Sequence, residues 1–212
     1  MPTAFTPSKG TVVFRDFELL FLTLGFSPTD WTSITVGAMF PVTSEFNLLT
    51  AGFKQQLIRG PENKSALAIT GNITFPTGSS NSDNFYYVNT NLIGSIRPAP
   101  EAGFHFALGY AGVSAKDEVY NSANNTYTTE RKFEGVKSYG LGGDFVLTPN
   151  VKFIAEIIGG GLLDKMDNLS ILTVGFRLHG KKISADIAGI RPLNKDSGDL
   201  IFWPLVTIGY HF

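Results

Sequence analysis

The chain is 212 residues long, with a net charge of −1, 17% charged residues and no cysteine. The near-neutral balance gives no ground for a nucleic-acid partner or an acidic substrate, and the lack of Cys excludes disulfides, thiolate metal sites and a catalytic thiol. The charged fraction lies below the roughly 25% usual for a soluble domain, while Gly (23) and Phe (18) are frequent.

The chain begins "MPTAFTPSKG". It has no basic stretch followed by an apolar core, so it does not read as a signal peptide. The expectation is that a leader has been removed or that the sequence begins inside a longer gene. Alternating segments follow near 11–26, 31–41, 45–59, 64–76, 84–98, 102–114, 133–147, 150–160, 168–178, 181–191 and 199–212. Turn signals separate them, among them "SPTD" (27–30), "RGPEN" (59–63), "PTGSSNSDN" (76–84), "RPAPEAG" (97–103), "LHGKK" (178–182) and "NKDSGD" (194–199). Pro, Gly, Asn and Asp supply the restricted or positive φ that turns need. Alternation between turns marks half-buried strands, and no stretch carries helical apolar spacing with caps. The apolar run "LLFLTLGF" (19–26) is less than half of the ~20 residues that a spanning helix requires. The reading is one all-β domain over 1–212 with almost no helix.

Parity sorts these segments into two faces. In 65–75, Leu67, Ile69, Ile73 and Phe75 oppose Ala66, Ala68, Thr70, Asn72 and Thr74. In 102–112, Phe104, Phe106, Leu108 and Tyr110 oppose Gly103, His105, Ala107, Gly109 and Ala111. In 137–147, Tyr139, Leu141, Phe145 and Leu147 oppose Ser138, Gly140, Gly142 and Asp144. The polar face is small, as a narrow lumen requires, and lacks the Lys and Glu of a water-facing exterior. The large apolar face suits lipid. Aromatics near segment ends (Phe26, Trp31, Phe40, Phe75, Phe85, Tyr86, Tyr110, Phe202, Tyr210, Phe212) fit interfacial girdles, although β-propensity alone also favours Phe and Tyr in strands.

The chain ends "LVTIGYHF" (205–212), in mid-alternation. A barrel in lipid leaves no open edge, because each unpaired backbone group there costs several kcal/mol. The final strand is therefore expected to pair with the first to its last residue. This ending resembles that of bacterial outer-membrane β-barrels, whose terminal aromatic strand the barrel-assembly machinery recognises. Ile208, Tyr210 and Phe212 match that assembly signal. In addition, "PTAF…KG…F.DFELLFLTLGFSPTDWTSITVGAMFPV" (2–42), "RLHGKKISADIAGIRPL" (177–193) and the closing strand look similar to a family of uncharacterised outer-membrane barrels common in Bacteroidetes-like bacteria. The resemblance implies a fold, a bacterial outer-membrane location and a lipid bilayer as surroundings. It brings no activity and no cofactor.

The segments number about eleven, whereas single-chain bacterial barrels have an even count. With the C-terminus periplasmic, short periplasmic turns fall at 27–31, 59–64, 98–102, 147–150 and 178–181, and outer loops at 41–45, 76–85, 114–133, 160–168 and 191–199. That parity asks for one more strand, with 2–5 as its end and 7–10 as its turn. The expectation is a closed, antiparallel, up-and-down transmembrane barrel of twelve strands, the first short or truncated, with ten as the fallback.

Inward positions in this registry include Glu18, Lys54, Arg97, His105, Asp144, Lys152, Glu156, Arg177, Lys182 and Asp186. Two functions follow from them. Paired charges can plug the lumen and make a structural barrel that serves other envelope proteins. Alternatively, the charges line a narrow pore for small polar or ionic solutes; twelve strands stand between the filled eight-stranded barrel and the open sixteen-stranded one. Loop 114–133 reads as solvated, and could also fold inward or bind a partner. An enzyme is disfavoured: there is no GxSxG elbow, Ser138 and Ser170 lack an evident His and acid partner, and His105, His179 and His211 are scattered. The same scatter gives no metal site. A soluble ligand-binding barrel would require the large apolar residues to face a cavity.

Overall fold

The computed structural model describes residues 3–17, 21–39, 47–77, 85–121, 126–162, 169–180, 182–193 and 202–212. Twelve strands alternate in direction: β1 (Val12–Phe17), β2 (Phe21–Phe26), β3 (Thr32–Met39), β4 (Asn47–Arg59), β5 (Ser65–Thr77), β6 (Phe85–Ala99), β7 (Ala102–Asn121), β8 (Thr126–Thr148), β9 (Val151–Leu162), β10 (Leu169–His179), β11 (Ile183–Pro192) and β12 (Trp203–His211). Each pairs with its neighbours in sequence, and β12 returns to β1, so the sheet is a closed up-and-down barrel. At the seam Val13 faces His211 and Phe17 faces Thr207. The Phe212 N–H donates to the Val12 carbonyl at 3.0 Å, which carries the closure to the last residue.

Twelve strands is the expected number, but the twelfth arises elsewhere than expected. Segment 11–26 is a hairpin of β1 and β2, with Val12 opposite Phe26 and Phe17 opposite Phe21. Opposed residues here sum to an even number, so β1 and β2 share one inward parity, and the sequence 18–20 between them holds no Gly or Pro. Residues 3–7 form no strand. A second correction concerns 114–133. Most of that expected loop is strand, since β7 and β8 stay paired from Ala102–Phe145 out to Asn121–Thr126. The expected loop at 41–45 lies wholly outside the described residues, as does Phe40, and those at 76–85, 160–168 and 191–199 lie mostly outside them. The helical content described is a single 3-10 turn at Pro61–Asn63, where Glu62 and Asn63 take positive φ to reverse the chain between β4 and β5.

The apolar residues are arranged inside out. Buried hydrophobic residues are few and mostly small: Ala4, Val13, Ala66, Ala68 and Ile93. Large ones such as Leu108, Leu141, Ile187 and Ile208 are exposed. A soluble ligand-binding barrel requires the reverse. On the outer face, aromatic rings lie over glycines of the adjacent strand, Phe53 over Gly71, Phe106 over Gly94 and Tyr139 over Gly159. A Cβ at any of these glycines would collide with the ring, so ring and glycine fill one space between them. Inside, Asn72 and Asn91 lean over Gly52 and Gly109 in the same manner.

Candidate lumen site

Alternation along the strands brings the small polar face inward, where described residues line two cavities within the barrel. One, of about 580 Å³, is bounded mainly by β7 to β12. The other, of about 510 Å³, is bounded mainly by β1 to β8. Both volumes fall in the range of small-molecule pockets. Charge is distributed unequally between them. Arg15, Arg97, Lys152 and Arg177 line the first, against Asp144, Glu156 and Asp186. Arg15 and Lys54 line the second among neutral groups such as Asn72, Asn89 and Asn91, with no carboxylate among its described lining residues.

A chain of hydrogen bonds crosses β6 to β9 beside the first cavity. The Ala4 N–H donates to Ser95 Oγ at 2.7 Å. Ser95 Oγ lies 2.8 Å from His105 Nδ1, and His105 Nε2 lies 2.8 Å from Asp144 Oδ2. Lys152 Nζ donates to Asp144 Oδ1 at 3.0 Å. For a neutral imidazole the directions are fixed: an amide N–H only donates and a carboxylate only accepts, so Nε2 carries the proton and Nδ1 accepts from the Ser95 hydroxyl. The order Ser, His, Asp is that of a nucleophile relay. Here, however, Ser95 is 1% exposed and its oxygen already accepts from the main chain, so a substrate carbonyl has no approach. The chain of bonds ties the N-terminal segment to the wall.

That segment was missed by sequence reasoning. Residues 3–6 enter the barrel and dock on β4 to β6. Lys54 Nζ donates to the carbonyls of Thr3 and Phe5, at 3.1 and 2.8 Å. The Thr6 hydroxyl donates to Gln56 Oε1 at 2.7 Å. The Arg97 guanidinium lies 4.5 Å from the Phe5 ring centroid, and Ala4 packs with Ala66, Ala68 and Ile93. The one signal in the sequence was indirect: Ala66 and Ala68 leave room on the inner face, and Ile93 is a large apolar residue on that face.

On the opposite wall Arg177 of β10 meets Asp186 of β11. Both guanidinium-to-carboxylate bonds are 2.7 Å long, and the residues are direct register partners. The structure therefore places Arg97, His105, Asp144, Lys152, Glu156, Arg177 and Asp186 around one cavity and Lys54 on the other. Lys182 is exposed in the turn before β11 and lines neither cavity, contrary to its expected inward position. Glu18 lies outside the described residues. Arg15, which lines both cavities, was not singled out, because the expected registry turned Glu18, of opposite parity on 11–26, inward. Of the expected terminal signal, Ile208 and Phe212 are exposed, and the Tyr210 and Phe212 rings meet edge to face at 4.6 Å.

No protein-family model matches the chain, and no curated protein matches its sequence. Among solved structures, the NanC porin aligns with a TM-score of 0.58 at 10% identity, covering 95% of this chain and 98% of its own. The translocator domain of autotransporter NalP from Neisseria meningitidis aligns with a TM-score of 0.51 at 12% identity, covering 98% of this chain and 90% of its own. At such identities the likeness is one of fold alone, a closed antiparallel β-barrel.

Proposed function

We propose that the protein is a narrow pore of a bacterial outer membrane, passing small polar or ionic solutes through the barrel. The observation that carries this reading is the pair of charged and polar cavities inside a closed sheet whose outer surface is apolar. Lipid is the surrounding that such an exterior fits, because contiguous apolar surface of this extent is unfavourable in water. Strands of nine to twelve residues in β9 to β12 also match the length of a tilted membrane-spanning strand. The proposed surroundings are the lipid bilayer, with the barrel-assembly machinery acting on the terminal strand. A swelling assay on proteoliposomes tests the pore: entry of a small sugar or amino acid faster than in protein-free vesicles supports it, and equal rates oppose it.

A second reading, a plugged structural barrel that serves as a scaffold for other envelope proteins, is favoured by the docked N-terminal residues. Their contacts with Lys54, Gln56, Ser95 and Arg97 take up lumen space. This reading predicts insertion without swelling.

A further inference from the structure

Arg15 differs from the other lumen cations in what surrounds it. Lys152 is bonded to Asp144, Arg177 is forked onto Asp186, Lys54 is bonded to two carbonyls and Arg97 lies over Phe5. No described residue forms an ion pair or side-chain hydrogen bond with Arg15. Its electrostatic neighbours are Arg177 and Asp186 on one side and Lys54 on the other. Asp186 already spends both oxygens on Arg177, so the group of Lys54, Arg15, Arg177 and Asp186 carries an excess of positive charge. Arg15 also stands where the two cavities meet, since it lines both. Among the described residues the second cavity opposes its charge with no carboxylate.

From this placement we infer that Arg15, flanked by Lys54 and Arg177, forms a subsite for a small oxyanion, such as an organic carboxylate, inside the lumen. Like charges held together in a lumen repel one another, and a bound anion relieves that repulsion. The guanidinium fork of Arg15 matches a carboxylate or phosphate in two parallel hydrogen bonds. The Arg177–Asp186 pair next to it is an internal example of that geometry. The Asn and Thr side chains of the second cavity supply neutral donors that hold a solute without trapping it. Rings of Arg and Lys select anions in pores. The inference rests on the pore reading for transport, whereas binding can be tested apart from it.

The experiment uses the refolded protein in planar bilayers under a potassium chloride gradient. The reversal potential should show chloride more permeant than potassium, and Arg15→Gln should bring the two close to parity. Succinate and inorganic phosphate, added separately, should reduce the chloride current; the more potent of the two identifies the preferred oxyanion. Either block should weaken about tenfold in Arg15→Gln, from loss of a charge-assisted bond. Potassium preference, or anion preference and block unchanged in Arg15→Gln, would overturn the subsite. Should the barrel insert without conducting, the pore reading fails, and calorimetry in detergent decides the subsite: binding heat with succinate or phosphate that Arg15→Gln abolishes upholds it, and no heat with the native protein rejects it.

Discussion

Lys54 holds the main chain of the N-terminal segment, its ammonium donating to the carbonyls of Thr3 and Phe5 from within the barrel wall. A strand-free stretch that enters a lumen must satisfy its backbone groups by some means. Here an ammonium takes two carbonyls, while Ser95 and Gln56 take the amides of Ala4 and Thr6. Ala4 adds apolar packing on Ala66, Ala68 and Ile93, and in the proposed pore this docked segment would narrow the lumen.

Removal of residues 1–6 should therefore raise single-channel conductance by a factor of roughly two, in a barrel whose lumen is only a few side chains wide. Lys54→Met should act in the same direction and leave the strands intact. Conductance unchanged in both variants would show that the segment lies off the solute path.

Asp186→Asn removes the carboxylate that offsets Arg177. The pair is open to lumen water, with the Arg177 side chain 45% exposed, so the stability cost should be at most about 1 kcal/mol. Selectivity should respond more strongly, moving further toward anions in the reversal potential. A shift toward cations would contradict the placement of both groups on the solute path.

The outer wall makes a separate prediction. Phe106 lies over Gly94, its register partner on the neighbouring strand. Gly94→Ala should displace the ring and destabilise the barrel by about 1–3 kcal/mol in urea unfolding from lipid. Phe106→Leu should relieve much of that cost when combined with it, giving a coupling energy characteristic of residues in contact. Strict additivity of the two changes would mean that the ring does not occupy that space.

Phe212 closes the sheet, and the proposed recognition of its ring by the assembly machinery can be tested apart from that. Its N–H closes the seam on Val12, and any residue except Pro supplies that bond. Phe212→Ala should therefore refold in detergent nearly as well as the native protein, as read by the gel-mobility change on heating. In cells it should assemble poorly if the terminal aromatic is a recognition signal. Equal assembly in cells would remove that role.

Much of the barrel was legible because strand alternation is local. The small inner faces of 65–75, 102–112 and 137–147 follow directly from parity. Parity also accounts for Asp144, Lys152, Arg177 and Asp186 lining one cavity, whereas Lys182 lies in a turn and lines neither. What escaped was non-local or lacked a turn signal. The β1–β2 hairpin preserves parity across its turn, so Phe17 and Phe21 read as members of one strand. The β7–β8 extension carries a polar composition that resembles a loop, although its strands stay paired. The docking of Ala4 depends on Ser95, 91 residues away, and no spacing rule connects them. Arg15 was missed because the expected registry turned Glu18, of opposite parity, inward, whereas Val13, Arg15, Thr23 and Gly25 line the lumen.

The most direct measurement is the conductance of the refolded protein in a planar lipid bilayer. The account predicts discrete ohmic steps of small amplitude that grow when residues 1–6 are removed. Insertion without current in both the native and shortened proteins would contradict it and leave a barrel closed by its own charges.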